Sequence, residues 1–373
     1  MKIVLICNEY PLHASSGGIG VFTRTIAHGL IDSGHDVTVL GYGKKGGHWD
    51  DGGIKVAVLQ ESTVRGVAWL VNRWRLYNWL KRHARSGAID IIEVPEYQGM
   101  LPFKFPWCPV VVRLHTSFAA KQRIQFLLEK RTLRLHPQWI AVSEWIGRET
   151  KKRYHLEPLY MPVVYNPVAL PVHFPEVPFS LPDTFVLYAG TVSERKGAFV
   201  LAEAARTFLS SFQDVHLLYV GGLTIENGCR ADETIRQILG DRLVERVHFT
   251  GPVPHDVVLA CMRKARVFAF PSKLEAFGLV PAEAMACGVP VVYSTLHAGP
   301  EVIVDGVTGL LADPNSPTDV AEKVMRFLND QPFSERLGKN AKKAVEERFS
   351  LKQCVDQTVV FYADCLTMNG KLK

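Results

Sequence analysis

The sequence is poor in several features that would have named a protein class at once. Its seven cysteines, Cys7, Cys108, Cys229, Cys261, Cys287, Cys354 and Cys365, are scattered and never form a C-x-x-C pair. That argues against a disulfide framework and a structural zinc, and favours a reducing cytoplasm as the compartment. No apolar run approaches the ~20 residues of a membrane span. The apolar stretch in MKIVLICNEYP falls short of the ~7–15 residues of a signal-peptide core, so it reads as a buried first strand. Low-complexity tracts are missing. So are a D-x-D motif and a His/Cys ligand set, and neither a metal nor a cofactor is expected. Excess charge is small, with a net +6 over 373 residues. This fits an anionic ligand or a membrane surface and gives no reason to expect a nucleic acid.

What is present is globular in composition, 47% hydrophobic and 21% charged, and too long for one ordinary core. Short β-branched runs alternate with amphipathic stretches. In the first half the strand candidates are 2–7, 36–40, 55–59, 89–94, 109–115 and 139–143. A helical pattern at 21–34 ends in a glycine cap. Residues 158–182 then hold seven prolines, which fits a linker and no regular element. The same grammar restarts beyond it, with strand candidates at 185–190, 215–220, 246–251, 266–271, 289–294 and 309–313, and helical patterns fill 316–367. The expected fold class is α/β, two doubly wound Rossmann-like domains. Such sheets bind ligands at the carboxyl ends of their strands, and a cleft between two of them is the expected site.

One segment carries an unusual pair of carboxylates. In EAFGLVPAEAMACGVP, Glu275 and Glu283 lie in an apolar context with Gly278 between them and Gly288 at the close. The preceding run ends at Pro271, and a helix is expected to start near Pro281 and stop at Gly288. Glu283 would then sit in the first turn, where the helix dipole favours its charge. The amides near Gly278 and Leu279 form a phosphate site at the helix start. Amides for phosphate and carboxylates for paired hydroxyls suit a ligand with a diphosphate, a ribose and a polyol. Taken alone, the segment is equally compatible with a solvated loop charge and a surface helix charge.

The segment EAFGLVPAEAMACGVPVV resembles the two-glutamate motif of the retaining GT-B glycosyltransferases of family 4. The likeness extends in order through GGIGVFTRTIAHGLIDSGHDVTVL (17–40), YAGTVSERKG (188–197), HFTGPV (248–253), AGPEVIVDGVTGLLADP (298–314) and EERFSL (346–351). It implies a GT-B fold with a central cleft. An acceptor-binding domain would span 1–170, a nucleotide-sugar-binding domain 171–349, and the last helix, 350–373, would cross back to the first domain. It implies transfer of a hexose from a UDP- or GDP-linked sugar to a glycan or lipid-linked acceptor. A non-catalytic nucleotide-sugar-binding partner subunit and a soluble transferase acting on a small sugar or sugar phosphate are the alternatives.

The resemblance also assigns residues. Lys196 and Arg195 would hold the donor diphosphate and stabilise it as it leaves. Family members often carry an arginine where this chain has Thr191, so Arg195 would supply the second cation. Glu275 would contact the sugar and Glu283 the ribose. Gly251 belongs to the base-contacting turn, and Gly278 and Leu279 would offer amides to phosphate. Gly17 and Gly18 form the glycine loop, where the backbone can approach a ligand closely. His115, at a strand end, would lie beside the transferred sugar. His13, Glu93 and Glu96 are the acceptor-side candidates.

Two basic stretches remain. Residues 67–85 read as a helix with Val67, Leu70, Val71, Trp74 and Tyr77 as its core stripe. Trp69, Arg73, Leu76, Trp79, Lys81, Arg82 and Arg85 fall outside that stripe. Tryptophans mixed with cations suit an anionic membrane surface, and 121–136 could extend the patch. The alternatives are two packed helices with solvated charges and a basic pocket for a soluble phosphorylated acceptor. If the membrane reading holds, the protein is peripheral on the inner face.

Overall fold

The computed structural model describes residues 1–12, 17–116, 123–368 and 370. The chain divides into two units: Met1–Pro167 with Ser350–Lys373, and Val168–Phe349. The division thus falls three residues before the boundary expected at 170.

Unit 1 contains β1 (Lys2–Ile6), α1 (Gly18–Asp32), β2 (Asp36–Gly43), β3 (Gly47–Asp51), β4 (Ile54–Gln60), α2 (Ala68–Arg85), β5 (Ile91–Pro95), β6 (Val110–Leu114), α3 (Arg123–Leu135), β7 (Gln138–Ala141) and α4 (Glu144–Tyr154). Among the described residues its sheet runs β3-β4-β2-β1-β5-β6-β7, parallel except for β3. The run at 89–94 begins at Ile89, but β5 pairs with β1 only from Ile91. The antiparallel β3, with polar and exposed side chains, carried no apolar signal. The start of the proline-rich stretch is not free linker: Trp139 and Ala141 donate backbone bonds of 3.0 Å to Tyr160 and Pro162.

Unit 2 contains β8 (Thr184–Ala189), α5 (Ala198–Ser211), β9 (Val215–Val220), a short hairpin β10 (Ile225–Glu226) and β11 (Cys229–Arg230), α6 (Ala231–Leu239), β12 (Val247–Phe249), α7 (His255–Lys264), β13 (Val267–Phe270), α8 (Leu279–Ala286), β14 (Val291–Ser294), α9 (Gly299–Val302), β15 (Leu310–Ala312), α10 (Pro317–Asn329) and α11 (Gln331–Arg348). Its parallel sheet runs β12-β9-β8-β13-β14-β15. Both sheets are covered on their two faces, which is why their strands read as continuous Val/Ile/Leu runs.

The last helix, α12 (Leu351–Met368), packs into unit 1. Val355, Phe361 and Tyr362 join the core of Ile3, Leu5, Ile26 and Val111. A buried polar clamp fixes its register. Arg113 on β6 bonds both oxygens of Glu93 at 2.8 Å and reaches Thr358 of α12 at 3.2 Å. Tyr362 donates to Glu93 at 2.6 Å. Replacing one partner would strand a buried charge, an effect of about 3–5 kcal/mol.

Two helix readings need correction. Helix α8 starts at Leu279, not near Pro281, so Glu283 sits in its second turn. The start is set by Gly278, whose φ of 93° makes it a left-handed cap; a Cβ there would meet the Tyr293 hydroxyl at 2.2 Å. Helix α2 is rotated from the expected stripe. Asn72, Arg73, Leu76 and Leu80 are buried, whereas Val67, Leu70 and Trp74 are exposed. Arg73 tolerates burial because the carbonyls of Trp69, Gln98 and Gly99 accept from its guanidinium. A helix with apolar residues on every face gives periodicity no unique solution.

Candidate active site

The carboxyl ends of β8, β9, β12 and β13 converge in unit 2. After β8 the chain turns through Gly190, which donates to Val220 at 2.8 Å, and Val192 donates to Gly222 at 2.8 Å. The loop then leads through Glu194, Arg195 and Lys196 to Gly197, the left-handed cap of α5. Only glycine fits at 197: a Cβ would lie 1.9 Å from the Pro271 carbonyl. This close approach presses the cationic loop against the segment after β13. Lys273 donates its amide to the Arg195 carbonyl at 3.0 Å, and its ammonium reaches Glu194 at 3.1 Å.

Two of the expected residues of unit 2 pair here. The Lys196 ammonium pairs with the Glu275 carboxylate, both side chains being about four-fifths buried, and it also lies 5.7 Å from the Phe270 ring centre. Arg195 is exposed and touches the Leu274 carbonyl at 3.5 Å. Four residues after Glu275 α8 begins, and its first residue, Leu279, carries a first-turn amide with no partner within the helix. Gly251, with φ of 71°, turns the chain after β12, and its carbonyl accepts from Gly221 at 3.0 Å.

Glu283 is buried and does not act as a first-turn dipole charge. Its Oε1 lies 2.9 Å from Nε2 of His255, the first residue of α7. His255 was not foreseen, although it follows Gly251 by four residues. Lys273 was likewise missed beside the two-glutamate segment. Glu226 on the β10–β11 hairpin was missed although Asn227-Gly228 marks the turn, because strands of two residues leave no alternating pattern. It accepts from the Glu194 amide at 3.1 Å.

In unit 1, Gly17 is the N-cap of α1 and Gly18 its first residue. A Cβ on Gly17 would meet Glu9 Oε2 at 2.5 Å, whereas one on Gly18 would meet nothing. The proximity of Glu9 was not legible, because Glu9 and Gly17 are separated by a segment without regular pattern. His13 lies outside the described residues. His115 follows β6, is buried, and packs edge-on against Phe22 with ring centres 4.8 Å apart. Burial, and then the neighbouring Arg113 charge, push its pKa down to about 3. The ring is therefore neutral at ordinary pH and can exchange a hydrogen bond but cannot supply positive charge.

The two acceptor-side glutamates are corrected by their partners. Glu93 is committed to Arg113 and Tyr362. Glu96 is buried and receives the amides of His115, at 2.8 Å, and of Thr116. Burial pushes its carboxyl up to about 7 against the pull of those donors. Both carboxylates hold the fold around β6 and are not open to an acceptor.

Helix α2 and the end of β4 border a cavity of about 940 Å³ lined by Trp74, Arg75, Trp79, Lys81, Arg82 and Arg85. Lys81 lies 5.2 Å from the Trp107 ring centre. Helix α3 exposes Ile124 and Leu127 beside Arg131 and Arg134; Lys121 and Gln122 of the expected second stretch lie outside the described residues. No described helix is long and apolar enough to cross a membrane.

Residues 16–170 match the family described as Glycosyltransferase Family 4, and residues 172–344 match Glycosyl transferases group 1. An uncharacterised glycosyltransferase of Methanocaldococcus jannaschii is 27% identical over 303 residues, 78% of this chain and 79% of that one. Among solved structures, sucrose-phosphate synthase from Thermosynechococcus elongatus is similar with a TM-score of 0.78 and 21% identity, covering 98% of this chain and 99% of that one. HepE of Anabaena, in complex with UDP-glucose, gives a TM-score of 0.74 and 20% identity over 99% of this chain and 100% of that one. These two show the fold. With its two halves matched in order and the GT-B architecture shared over nearly its whole length, the chain belongs to glycosyltransferase family 4.

Proposed function

We propose that the protein transfers a hexose, with retention, from a UDP-linked donor to a glycan or lipid-linked acceptor on the inner face of a membrane, as a step in cell-surface polysaccharide or lipid-linked glycan synthesis. The observation that carries the donor half is the Lys196–Glu275 pair on the loops after β8 and β13, with Glu275 four residues ahead of the start of α8. An ammonium and a set of helix amides suit a diphosphate, and a carboxylate beside them suits the hydroxyls of a sugar attached to it. UDP is the base preferred here because HepE, of the same fold, is seen with UDP-glucose; GDP is its competitor.

Catalysis then consists of stabilising charge on the departing diphosphate. Lys196, Arg195 and the Leu279 amide aim fixed positive charge at the oxygens that become most negative. Side-chain cations do this without a metal, so activity is expected to survive chelation. Glu275 orients the sugar, and Glu283 holds the ribose. His115, neutral, is the group of unit 1 assigned to the sugar. Retention comes from same-face attack, the mechanism the family resemblance implies. The membrane half rests on α2, where exposed Trp69, Leu70 and Trp74 stand beside Arg75, Arg82 and Arg85. Aromatic and cationic side chains together suit an anionic headgroup layer.

The test is a panel of UDP- and GDP-hexoses offered to the protein with membrane extract, with and without EDTA. Turnover of a UDP-hexose that resists EDTA, with the product linkage read by NMR as keeping the donor's anomeric configuration, supports the reading. Turnover of GDP-hexoses alone, inversion, or loss of activity with EDTA contradicts the matching part.

A further inference from the structure

Glu283 has a polar partner, His255, on the neighbouring helix α7. Its carboxylate side chain is 7% exposed, whereas the His255 side chain is 49% exposed. A carboxylate so buried needs hydrogen bonds, and the His255 contact of 2.9 Å supplies one to Oε1. His255 opens α7, where the helix dipole disfavours a cation. Its pKa is nevertheless raised, first by the bond to Glu283 and against the effect of burial, with the Glu283 and Asp256 charges adding to the rise. A further titratable group near the pair is Cys287, the C-cap of α8. Burial, with the Glu283 charge next, pushes its thiol up to about 12, so it stays neutral, while Arg263 of α7 and Lys342 of α11 act on it in the opposite sense.

We propose that His255 is a positioning residue: it ties down one oxygen of Glu283 so that the other faces the donor ribose, and its proton makes nucleotide affinity depend on pH. The proposal rests on the reading of Glu283 as the ribose-binding residue. The bond itself survives deprotonation, because a neutral imidazole can carry its hydrogen on Nε2. The charge does not survive. Protonated His255 offsets the carboxylate, and a diphosphate then enters a less negative site. Once His255 is neutral, Glu283 stands as an uncompensated charge near an anionic ligand. By linkage, affinity is highest while His255 of the free protein is protonated and falls as pH rises through its raised pKa.

The experiment is calorimetric titration of UDP, GDP and their 2′,3′-dideoxy counterparts at about pH 6 and about pH 9, into the wild-type chain, His255→Gln, His255→Ala and Glu283→Ala. Protonation of the nucleotide phosphate is common to all four proteins and cancels between them. The wild type is expected to lose about three- to ten-fold more affinity across this range than His255→Gln, in line with the modest strength of a half-exposed pair. His255→Gln keeps an amide donor for Glu283 and should keep the preference for ribose over dideoxyribose. His255→Ala should lose that preference by about five-fold while its dideoxy affinity holds. Glu283→Ala tests the underlying reading alone: it must abolish the preference for ribose, and if it does not, the ribose assignment fails. If Glu283→Ala abolishes the preference but both His255 variants titrate like the wild type, the positioning proposal is overturned and the ribose assignment stands.

Discussion

Replacing Glu275 by glutamine should make the protein bind UDP more tightly while it transfers sugar less well. In the structure Lys196 is already paired, and its partner is Glu275. A diphosphate entering the site must compete for that ammonium or share it. The side chains are 20% and 17% exposed, so the pair is screened less than a surface salt bridge. Two unit charges about 4 Å apart attract by about 4 kcal/mol at an effective dielectric near 20. Desolvation and the restraint of two flexible side chains offset most of this, leaving about 1 kcal/mol. The glutamine removes this competition and also removes a negative charge close to the phosphates, so both effects act in one direction. The expected result is a UDP dissociation constant lower by about five-fold. The donor should gain less than UDP does, because the amide is a poorer partner for sugar hydroxyls than a carboxylate, and transfer should fall by about 100-fold, the cost of about 3 kcal/mol of lost charge-assisted bonding. Calorimetry with UDP and a steady-state transfer assay give both numbers. An unchanged or weaker UDP affinity in the glutamine variant would refute the claim that Glu275 and the diphosphate compete for Lys196.

Further outcomes follow from the same geometry. Lys196→Ala should weaken UDP by about 10- to 100-fold, the loss of one charge-assisted bond, and Arg195→Ala, exposed and more loosely held, by less; calorimetry ranks them, and the reverse order would move the phosphate toward Arg195. His115 should contribute no titration to kcat/KM between about pH 5 and about pH 9, because its pKa lies near 3; a break in that range that vanishes in His115→Gln would show the ring to be charged in the working enzyme. Vesicles with anionic lipid should sediment the protein at low salt and release it at about 1 M, where the screening length shrinks to about 3 Å. Arg75→Glu with Arg82→Glu should abolish that sedimentation, and binding unaffected by salt or by the double variant would remove the membrane reading of α2.

The fold was legible because buried parallel strands write themselves as unbroken apolar runs, and each run located a strand of the two main sheets to within a few residues. The elements that escaped were β3 and the β10–β11 hairpin, which are short and bury little. In the candidate site, the turns of the 191–197 loop and of the two-glutamate segment were legible because tight glycine turns and charges at strand ends leave local marks. What side chains pair with across 20 or more residues left none. Nothing local distinguishes Glu93 and Glu96, which brace β6, from rim carboxylates, because their partners Arg113, Tyr362 and the 115–116 amides are distant in sequence. His255 belongs to the same class: its place on α7 is local, but its contact with Glu283 lies 28 residues away. The stripe of α2 failed for a different reason. Arg73 is buried on carbonyls of the 97–99 turn, and hydrophobic periodicity cannot register a core position filled by a cation.

The central claim is that unit 2 holds a nucleoside diphosphate between the 191–197 loop and the start of α8. Diffraction from crystals grown with UDP tests it most directly. Phosphate oxygens should lie within about 3.2 Å of the Lys196 ammonium and the Leu279 amide, with a ribose hydroxyl on Glu283. Diphosphate density elsewhere, for example at the start of α1, with Lys196 still closed on Glu275, would contradict it.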